Sequence, residues 1–169
     1  MPERITVRDI EIAVARHFNY RMNLIVPNVS WGLLPWGHEV DVLVVRPSGW
    51  AEEVEIKITA SDIKADTQKR HRQIKLIGEH DFLYEQLHKI WFAVPEKLAG
   101  HLDIPNYAGI LTYNPTATAE SQILKTVRGP ALNKNARKLT SGEIYTVAHL
   151  GCMRIWSLKE ALNRSRRVD

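Results

Sequence analysis

Two short runs, 39–46 and 53–58, are rich in β-branched residues and are typical of strands, and in 53–58 polar and apolar positions alternate. Between them lie Pro47, Ser48 and Gly49, which have the composition of a tight turn. We therefore expect the two runs to pair as an antiparallel hairpin.

Alternation places the side chains of Glu55 and Lys57 on the same face of the second strand. The other face is apolar and carries Val54, Ile56 and Ile58. Asp41 joins Glu55 and Lys57 from the neighbouring strand. Two converging carboxylates suit a hard divalent cation such as Mg²⁺, and an adjacent ammonium stabilises charge that develops on a phosphoryl oxygen. The pattern indicates hydrolysis of a phosphodiester.

A helical period predicts a first helix over 7–18, with Thr6 as its N-cap and Asp9 at the third helical position. Its apolar stripe consists of Val7, Ile10, Val14 and Phe18. Glu11 lies on the sector of that stripe, where a charge is costly unless it is paired or bound to a cation. A glutamate at the edge of a stripe can also reach solvent through its flexible stem.

The rest of the chain alternates strands and helices. Strands are expected at 21–27, 89–94 and 108–113, and helices from Ser61 to about Ile77, over 80–88 and from Ser141 onward. This order predicts an α/β fold with a mixed central sheet and helices packed against it.

The helix after Ser61 is strongly basic and offers the best phosphate-facing surface of the chain. Its candidate nucleic-acid-binding residues are Lys64, Lys69, Arg70, Arg72 and Lys75. The alternative is an ordinary solvated helix face. Asp62 and Asp66 share one side of this helix, where they either act in the site, stabilise the helix start or pair with Lys69 or Arg70.

The loop 28–38 contains Trp31 and Trp36, which either stack on bases or cover the edge of the core. His38 and Glu39 follow, close to Asp41, and Glu39 shares the strand face of Asp41. A solvent-facing position is the alternative for Glu39.

Residues 114–140 are expected to be an exposed, mobile connection, whose cations either close over nucleic acid or keep the segment solvated. Ser141 is expected to cap the last helix, which ends in a basic tail. Its apolar stripe consists of Ile144, Val147, Ala148, Gly151, Ile155, Leu158 and Leu162. This stripe either packs on the sheet of its own chain or mediates a homodimer with Trp156 as a contact.

A chain of 169 residues with 44% hydrophobic and 25% charged residues is typical of one compact unit. No apolar run approaches the ~20 residues of a membrane span, and residues 1–4 lack a secretory pattern, so we expect a cytoplasmic location. The single cysteine, Cys152, excludes an internal disulfide and a cysteine-based zinc cluster. A net charge of +4 permits nucleic-acid binding.

An ordered series of motifs resembles the PD-(D/E)XK nuclease superfamily, and in particular its MmcB-like DNA-repair branch. The matching segments, within about 5–113, are Val40-Asp41-Val42, Val54-Glu55-Ile56-Lys57, Ser61-Asp62 with Asp66, Trp91-Phe92-Ala93-Val94-Pro95 and Ala108-Gly109-Ile110-Leu111. Two departures are Gln68-Lys69, where the family has a basic-aromatic pair, and a longer segment from Lys69 to Asp81. Both bear on how substrate is held and leave the metal-site residues unaffected.

The resemblance implies a restriction-endonuclease-like core over 1–113, followed by the connection 114–140 and a C-terminal helix with a basic tail over 141–169. It implies a DNA nuclease in which Asp41, Glu55 and the backbone carbonyl of Ile56 hold Mg²⁺ or Mn²⁺. Lys57 then positions or deprotonates the water, or stabilises the transition state. Glu11 is the acid that the family often contributes from its first helix.

Two other functions are compatible with the same residues. One is a DNA-binding module of this fold whose chemistry has been lost or is supplied by a partner. The other is a small α/β protein that binds another protein, in which Glu55 and Lys57 are an ordinary salt pair.

Overall fold

The computed structural model describes residues 5–30, 39–62, 85–101 and 104–165. It is built on a six-stranded mixed sheet that has helices on both faces. The predicted α/β fold with a mixed central sheet, flanking helices and a C-terminal helix is therefore confirmed.

The strands are β1 (Leu24–Val29), β2 (Val40–Val45), β3 (Ala51–Ile56), β4 (Leu87–Pro95), β5 (Gly109–Tyr113) and β6 (Leu124–Arg128). The helices that lie wholly within the described ranges are α1 (Val7–His17), a 3-10 helix (Glu96–His101), the single turn α2 (Glu120–Ile123) and the C-terminal helix α3 (Ser141–Ser165). A further helix starts at residue 60. Strand order in the sheet follows chain order. Neighbours β1–β2, β2–β3 and β5–β6 are antiparallel, whereas β3–β4 and β4–β5 are parallel.

Helix α1 begins as the sequence predicts. The Thr6 hydroxyl accepts the N–H of Asp9, and the Asp9 carboxylate accepts the N–H of Thr6 at 2.8 Å, which completes a capping box. Ile10, Val14 and Phe18 are buried against the sheet. These contacts fix α1 on the face formed by even-numbered residues of β2 and β3.

The end of α1 displaces the first strand from its predicted position at 21–27. Asn19 adopts a left-handed conformation with φ 53°, and the side chain of Asn23 donates to the carbonyl of Phe18 at 2.6 Å. These bonds keep residues 21–23 in a turn. The strand consequently begins at Leu24 and extends through Val29 into the predicted loop.

The predicted hairpin between β2 and β3 is confirmed. Its turn is closed by hydrogen bonds of 2.8 Å from Arg46 N–H to the Trp50 carbonyl and from Gly49 N–H to the Arg46 carbonyl. Gly49 has φ 90°, which favours a residue without a side chain. Since the turn ends at Trp50, β3 starts two residues before the predicted run and ends at Ile56.

The prediction of a helix over 80–88 is wrong at the C-terminal end of that range. Residues 85–86 form a turn and β4 begins at Leu87, while residues 80–84 lie outside the described part of the chain. Leu87 is buried, pairs with Ala51 of β3 and accepts a hydrogen bond from the Asn133 side chain at 3.0 Å. Pairing with a distant strand therefore overrides the local helical pattern.

The connection predicted over 114–140 contains regular structure. Residues 120–128 form α2 and β6, and β6 pairs with β5 as the outer strand of the sheet. Only Leu124 of β6 is buried, so the strand lacks the alternation by which a sequence reveals one. Residues 129–140 are tied to the core, for example by the N–H of Leu139 to the carbonyl of Gly49 at 2.9 Å.

The C-terminal helix begins at Ser141 as predicted, but Thr140 rather than Ser141 caps it. Thr140 and Glu143 exchange hydrogen bonds in a second capping box. The first half of the helix docks on β1 through Val147 and through Gly151, which packs against the side chain of Val26. No helix in the described residues is both long and apolar enough to span a bilayer.

Candidate functional site

The strands β2 and β3 separate at one end of the sheet. Their ladder ends at the pair Val42–Val54, whereas β2 continues beside β1 to Val40 and β3 continues beside β4 to Ile56. Asp41 and Glu55 are the first residues beyond the ladder. Because pairing is antiparallel, they occupy facing positions and point to the face opposite α1.

Asp41 takes over the hydrogen bond that the ladder no longer provides. Its Oδ2 accepts the backbone N–H of Ile56 at 2.8 Å. In a strand the N–H and C=O of one residue point to the same side, so the Ile56 carbonyl is directed toward Asp41 as well. A carboxylate and a backbone carbonyl are thereby brought to the gap between the strands.

Glu55 and Lys57 form a close ion pair on β3 and the residue that follows it. Lys57 Nζ lies 2.8 Å from Glu55 Oε2, and the glutamate is buried while the lysine side chain is 15% exposed. The N–H of Lys57 donates to the carbonyl of Ala93 on β4 at 3.1 Å, which extends the parallel ladder by one bond. Glu55 and Lys57 therefore share one face, as the alternation predicts.

Glu11 reaches this end of the sheet from α1, on the opposite face. Its Oε1 accepts a hydrogen bond of 3.2 Å from the side chain of Asn28, which has φ 52° within β1. Burial raises the pKa of Glu11, the Asn28 hydrogen bond opposes that rise, and the charge of Asp41 adds to it. Since Asp41 acts on the Glu11 carboxyl, the two acids belong to one electrostatic cluster.

Arg154 of the C-terminal helix approaches the same cluster. Its Nη2 donates to the backbone carbonyl of Asn28, and its charge lowers the pKa of Glu11 against the larger effect of burial. Arg154 therefore lies beside Asn28 and near the Glu11 carboxyl, at the end of β1 that pairs with the part of β2 carrying Asp41.

The oxygen donors at this site suit a hard cation, although there are few of them. Asp41 and Glu55 supply carboxylate oxygens and Ile56 supplies a carbonyl oxygen, which are the ligand types that Mg²⁺ and Mn²⁺ prefer. Among the described residues no three side chains of His, Cys, Asp or Glu are grouped closely enough to form a metal site by themselves. A cation held here would complete its shell with water or substrate oxygens.

Several predicted site residues lie outside the described part of the chain. They are Trp31, Trp36, His38, Lys64, Asp66, Lys69, Arg70, Arg72 and Lys75. Of the remaining candidates, Glu39 and Asp62 are both exposed. The sequence also predicts Ser61 as the N-cap of its helix, but the N–H of Asp62 donates to the hydroxyl of Thr59 at 3.2 Å, so Thr59 caps the helix, which starts at residue 60.

Sequence reasoning missed Asn28, Glu53 and Arg154. Glu53 is fully buried and lies on the same strand face as Glu55. A cation within the apolar stripe of the last helix, three residues after Gly151, was the available signal for Arg154. The polar Asn28 inside an otherwise apolar strand was the signal for the bond to Glu11.

A separate cleft of about 770 Å³ lies between the end of α1 and α2. Its lining includes Arg16, His17, Tyr20, Arg21 and Glu120. Arg16 and Glu120 are paired at 3.5 Å, burial lowers the pKa of His17, and the guanidinium of Arg21 lies 5.9 Å from the ring centroid of Tyr20. His17 feels the charge of Arg46, which follows β2 roughly 16 Å along the strand from Asp41. The cleft is thus remote from the acids.

A solved structure shares this fold. It is the SPO1766 protein of unknown function from Silicibacter pomeroyi, which matches with a TM-score of 0.55 at 19% identity, over 91% of this chain and 88% of that chain. At this identity the likeness concerns the fold alone. No family model matches the chain. No curated protein matches it either.

Proposed function

We propose that this protein is a metal-dependent nuclease that hydrolyses phosphodiester bonds in DNA. The observation that carries the proposal is the hydrogen bond from Ile56 N–H to Asp41 Oδ2, made where β2 and β3 diverge. This bond places an acid of one strand against the strand that carries Glu55 and Lys57. The motif resemblance to PD-(D/E)XK nucleases supports the same function.

Asp41, Glu55 and the carbonyl of Ile56 would hold Mg²⁺ or Mn²⁺. The bound ion would supply Lewis-acid polarisation of the phosphate and would lower the pKa of a water. Hydrolysis forms a P–O bond to the water oxygen and breaks the P–O bond to a sugar oxygen, which takes up a proton. The protein must therefore orient one water and neutralise charge on the phosphoryl oxygens.

Lys57 is the residue of this chain best placed for that work. Its ammonium is held by Glu55 at 2.8 Å and is largely shielded from solvent. A fixed cation in a partly dry site stabilises developing negative charge more strongly than a hydrated one. An ammonium carries only N–H donors, and a donor directed at the attacking water would help to orient it.

Glu11 would act through the cluster rather than as a principal ligand. It is joined to β1 by Asn28, and burial already raises the pKa of its carboxyl. A nearby dication would favour the ionised form of Glu11 and let it accept a hydrogen bond from water. Its substitution should therefore weaken the cation site without abolishing it.

Cleavage assays test the proposal directly. The wild type and Glu55→Gln should be incubated with duplex, single-stranded, nicked and branched DNA in Mg²⁺ or Mn²⁺. We expect metal-dependent products from the wild type and none from Glu55→Gln. Failure of the wild type on all four substrates with both ions would reject the enzyme.

A DNA-binding module without chemistry is the second candidate. It is favoured by the position of Lys57, whose ammonium occupies an oxygen of Glu55 that a metal would need. Salt-sensitive DNA binding by the wild type without any cleavage would support this candidate. Binding that is insensitive to salt, or absent, would support neither.

A further inference from the structure

Arg154 connects the C-terminal helix to the candidate site, outside the motifs that predict the site. Val147, Gly151 and Arg154 follow each other at helical spacing on the face that docks on β1. Gly151 lies against Val26, so the helix axis runs close to the sheet. Arg154, almost one turn further, therefore reaches the end of β1 where Asn28 and Glu11 lie.

The guanidinium has more hydrogen-bonding capacity than this contact uses. It carries five N–H donors, and among the described residues its acceptor is the carbonyl of Asn28. Its Nε is buried and has no acceptor there. A buried donor without an acceptor is unfavourable, so a residue that served only to attach the helix would not require this group.

The charge of Arg154 is likewise available to a ligand. In the described part of the chain no carboxylate lies within ion-pair distance of it, although its charge is felt by Glu11. Arginine binds phosphate through two parallel N–H donors, a geometry that lysine cannot reproduce. The position beside the acids therefore suits a phosphate group.

We propose that Arg154 binds a backbone phosphate of the nucleic acid next to the Asp41–Glu55 cluster, which makes the C-terminal helix part of the substrate site. This inference rests on the proposed nuclease function. It assigns Arg154 a binding role and leaves the chemistry to Asp41, Glu55 and Lys57.

Binding of a labelled DNA duplex, and of a single strand of the same length, tests the role of Arg154. Fluorescence anisotropy would be measured over a series of NaCl concentrations without divalent metal, for the wild type, Arg154→Gln and Arg154→Lys. Glutamine keeps a donor for Asn28 and removes the charge. Arg164→Gln is the matched control, because Arg164 lies on the same helix, is 80% exposed and is three turns away.

We expect Arg154→Gln to bind the duplex about tenfold more weakly than the wild type. The negative slope of log K against log salt should become shallower by about 0.9, which corresponds to the loss of one phosphate contact. Arg154→Lys should keep the slope and lose about threefold in affinity, since it keeps the charge and loses the planar fork. Arg164→Gln should match the wild type. Thermal unfolding of each variant shows whether the helix remains docked.

Two results would overturn the inference. One is an unchanged salt slope in Arg154→Gln, with or without a loss of thermal stability, which would make Arg154 a structural tether. The other result matters if Arg154→Gln does not fold. It is binding of DNA by Arg154→Lys with the affinity of the wild type. Absence of DNA binding by the wild type would instead reject the proposed function, and this inference with it.

Discussion

The carboxylate of Asp41 accepts the backbone N–H of Ile56 at 2.8 Å, beyond the last ladder pair of β2 and β3. The Asp41 side chain thus supplies a hydrogen bond to β3 at the point where the backbone of β2 no longer pairs with it. Because Ile56 lies between Glu55 and Lys57, this bond also fixes the distance between Asp41 and both of them. Under the proposed function, Asp41 would therefore contribute both to stability and to metal binding.

Substitution of Asp41 should separate the two roles. Asp41→Asn keeps an oxygen that can accept the Ile56 N–H but loses the charge, so we expect loss of Mn²⁺ binding with stability within about 0.5 kcal/mol of the wild type. Asp41→Ala should lose both, with a cost of about 1–2 kcal/mol. Calorimetric Mn²⁺ titration and urea unfolding measure the two effects. Equal stability of the two variants would show that the hydrogen bond does not matter.

Removal of the Lys57 charge should make the stability of the folded protein depend more strongly on bound metal. Lys57→Met leaves the buried carboxylate of Glu55 without this cation, which we expect to cost about 2–3 kcal/mol in metal-free buffer. Mn²⁺ should then raise the melting temperature more in Lys57→Met than in the wild type, while DNA cleavage is lost. Lys57→Arg, which keeps the charge, is the control. An equal Mn²⁺ effect in all three proteins would contradict a cation site at Glu55.

The effect of Glu11 on the free energy of unfolding should become less favourable as pH rises. Burial raises its pKa above 4.5, so the folded state holds the proton more tightly and loses stability as pH rises from that value through the folded pKa. Glu11→Gln keeps the acceptor for Asn28 and removes this dependence. We expect the variant to gain on the wild type in urea unfolding between about pH 4 and pH 7. A constant difference over that range would exclude the burial effect.

Glu143 should show the opposite pH dependence. Two hydrogen bonds from Arg137, of 2.7 and 2.9 Å, lower the pKa of Glu143 from 4.5 to about 2. Its stabilising effect is present above pH 4.5 and is lost as pH falls through about 2. Glu143→Gln should cost about 1 kcal/mol at neutral pH, since solvent screens part of the interaction. In acid titrations monitored by circular dichroism, the two proteins should converge toward pH 2.

The two halves of the C-terminal helix should respond differently to substitution. Val147 is fully buried on β1, so Val147→Ala should cost about 1–2 kcal/mol. Leu158 is 61% exposed, so Leu158→Gln should change stability by less than about 0.5 kcal/mol. Light scattering on both variants tests the homodimer: a dimeric wild type that becomes monomeric in Leu158→Gln would place the interface on this helix.

Local patterns determined much of this protein. The capping box of Thr6 and Asp9 specified the start of α1, the turn at Gly49 specified the hairpin, and alternation put Glu55 and Lys57 on one face. Each of these signals joins residues a few positions apart, so the sequence by itself contains the physical cause. The α/β class followed from the order of such elements.

Only the tertiary structure decided the remainder. The divergence of β2 from β3, the strand β6 and the approach of Arg154 to Asn28 depend on contacts between residues far apart in the chain. For Arg154 and Asn28 the separation is 126 residues. Such contacts arise from the packing of whole helices and strands on one another, and no local period of the sequence reports where that packing will place a side chain.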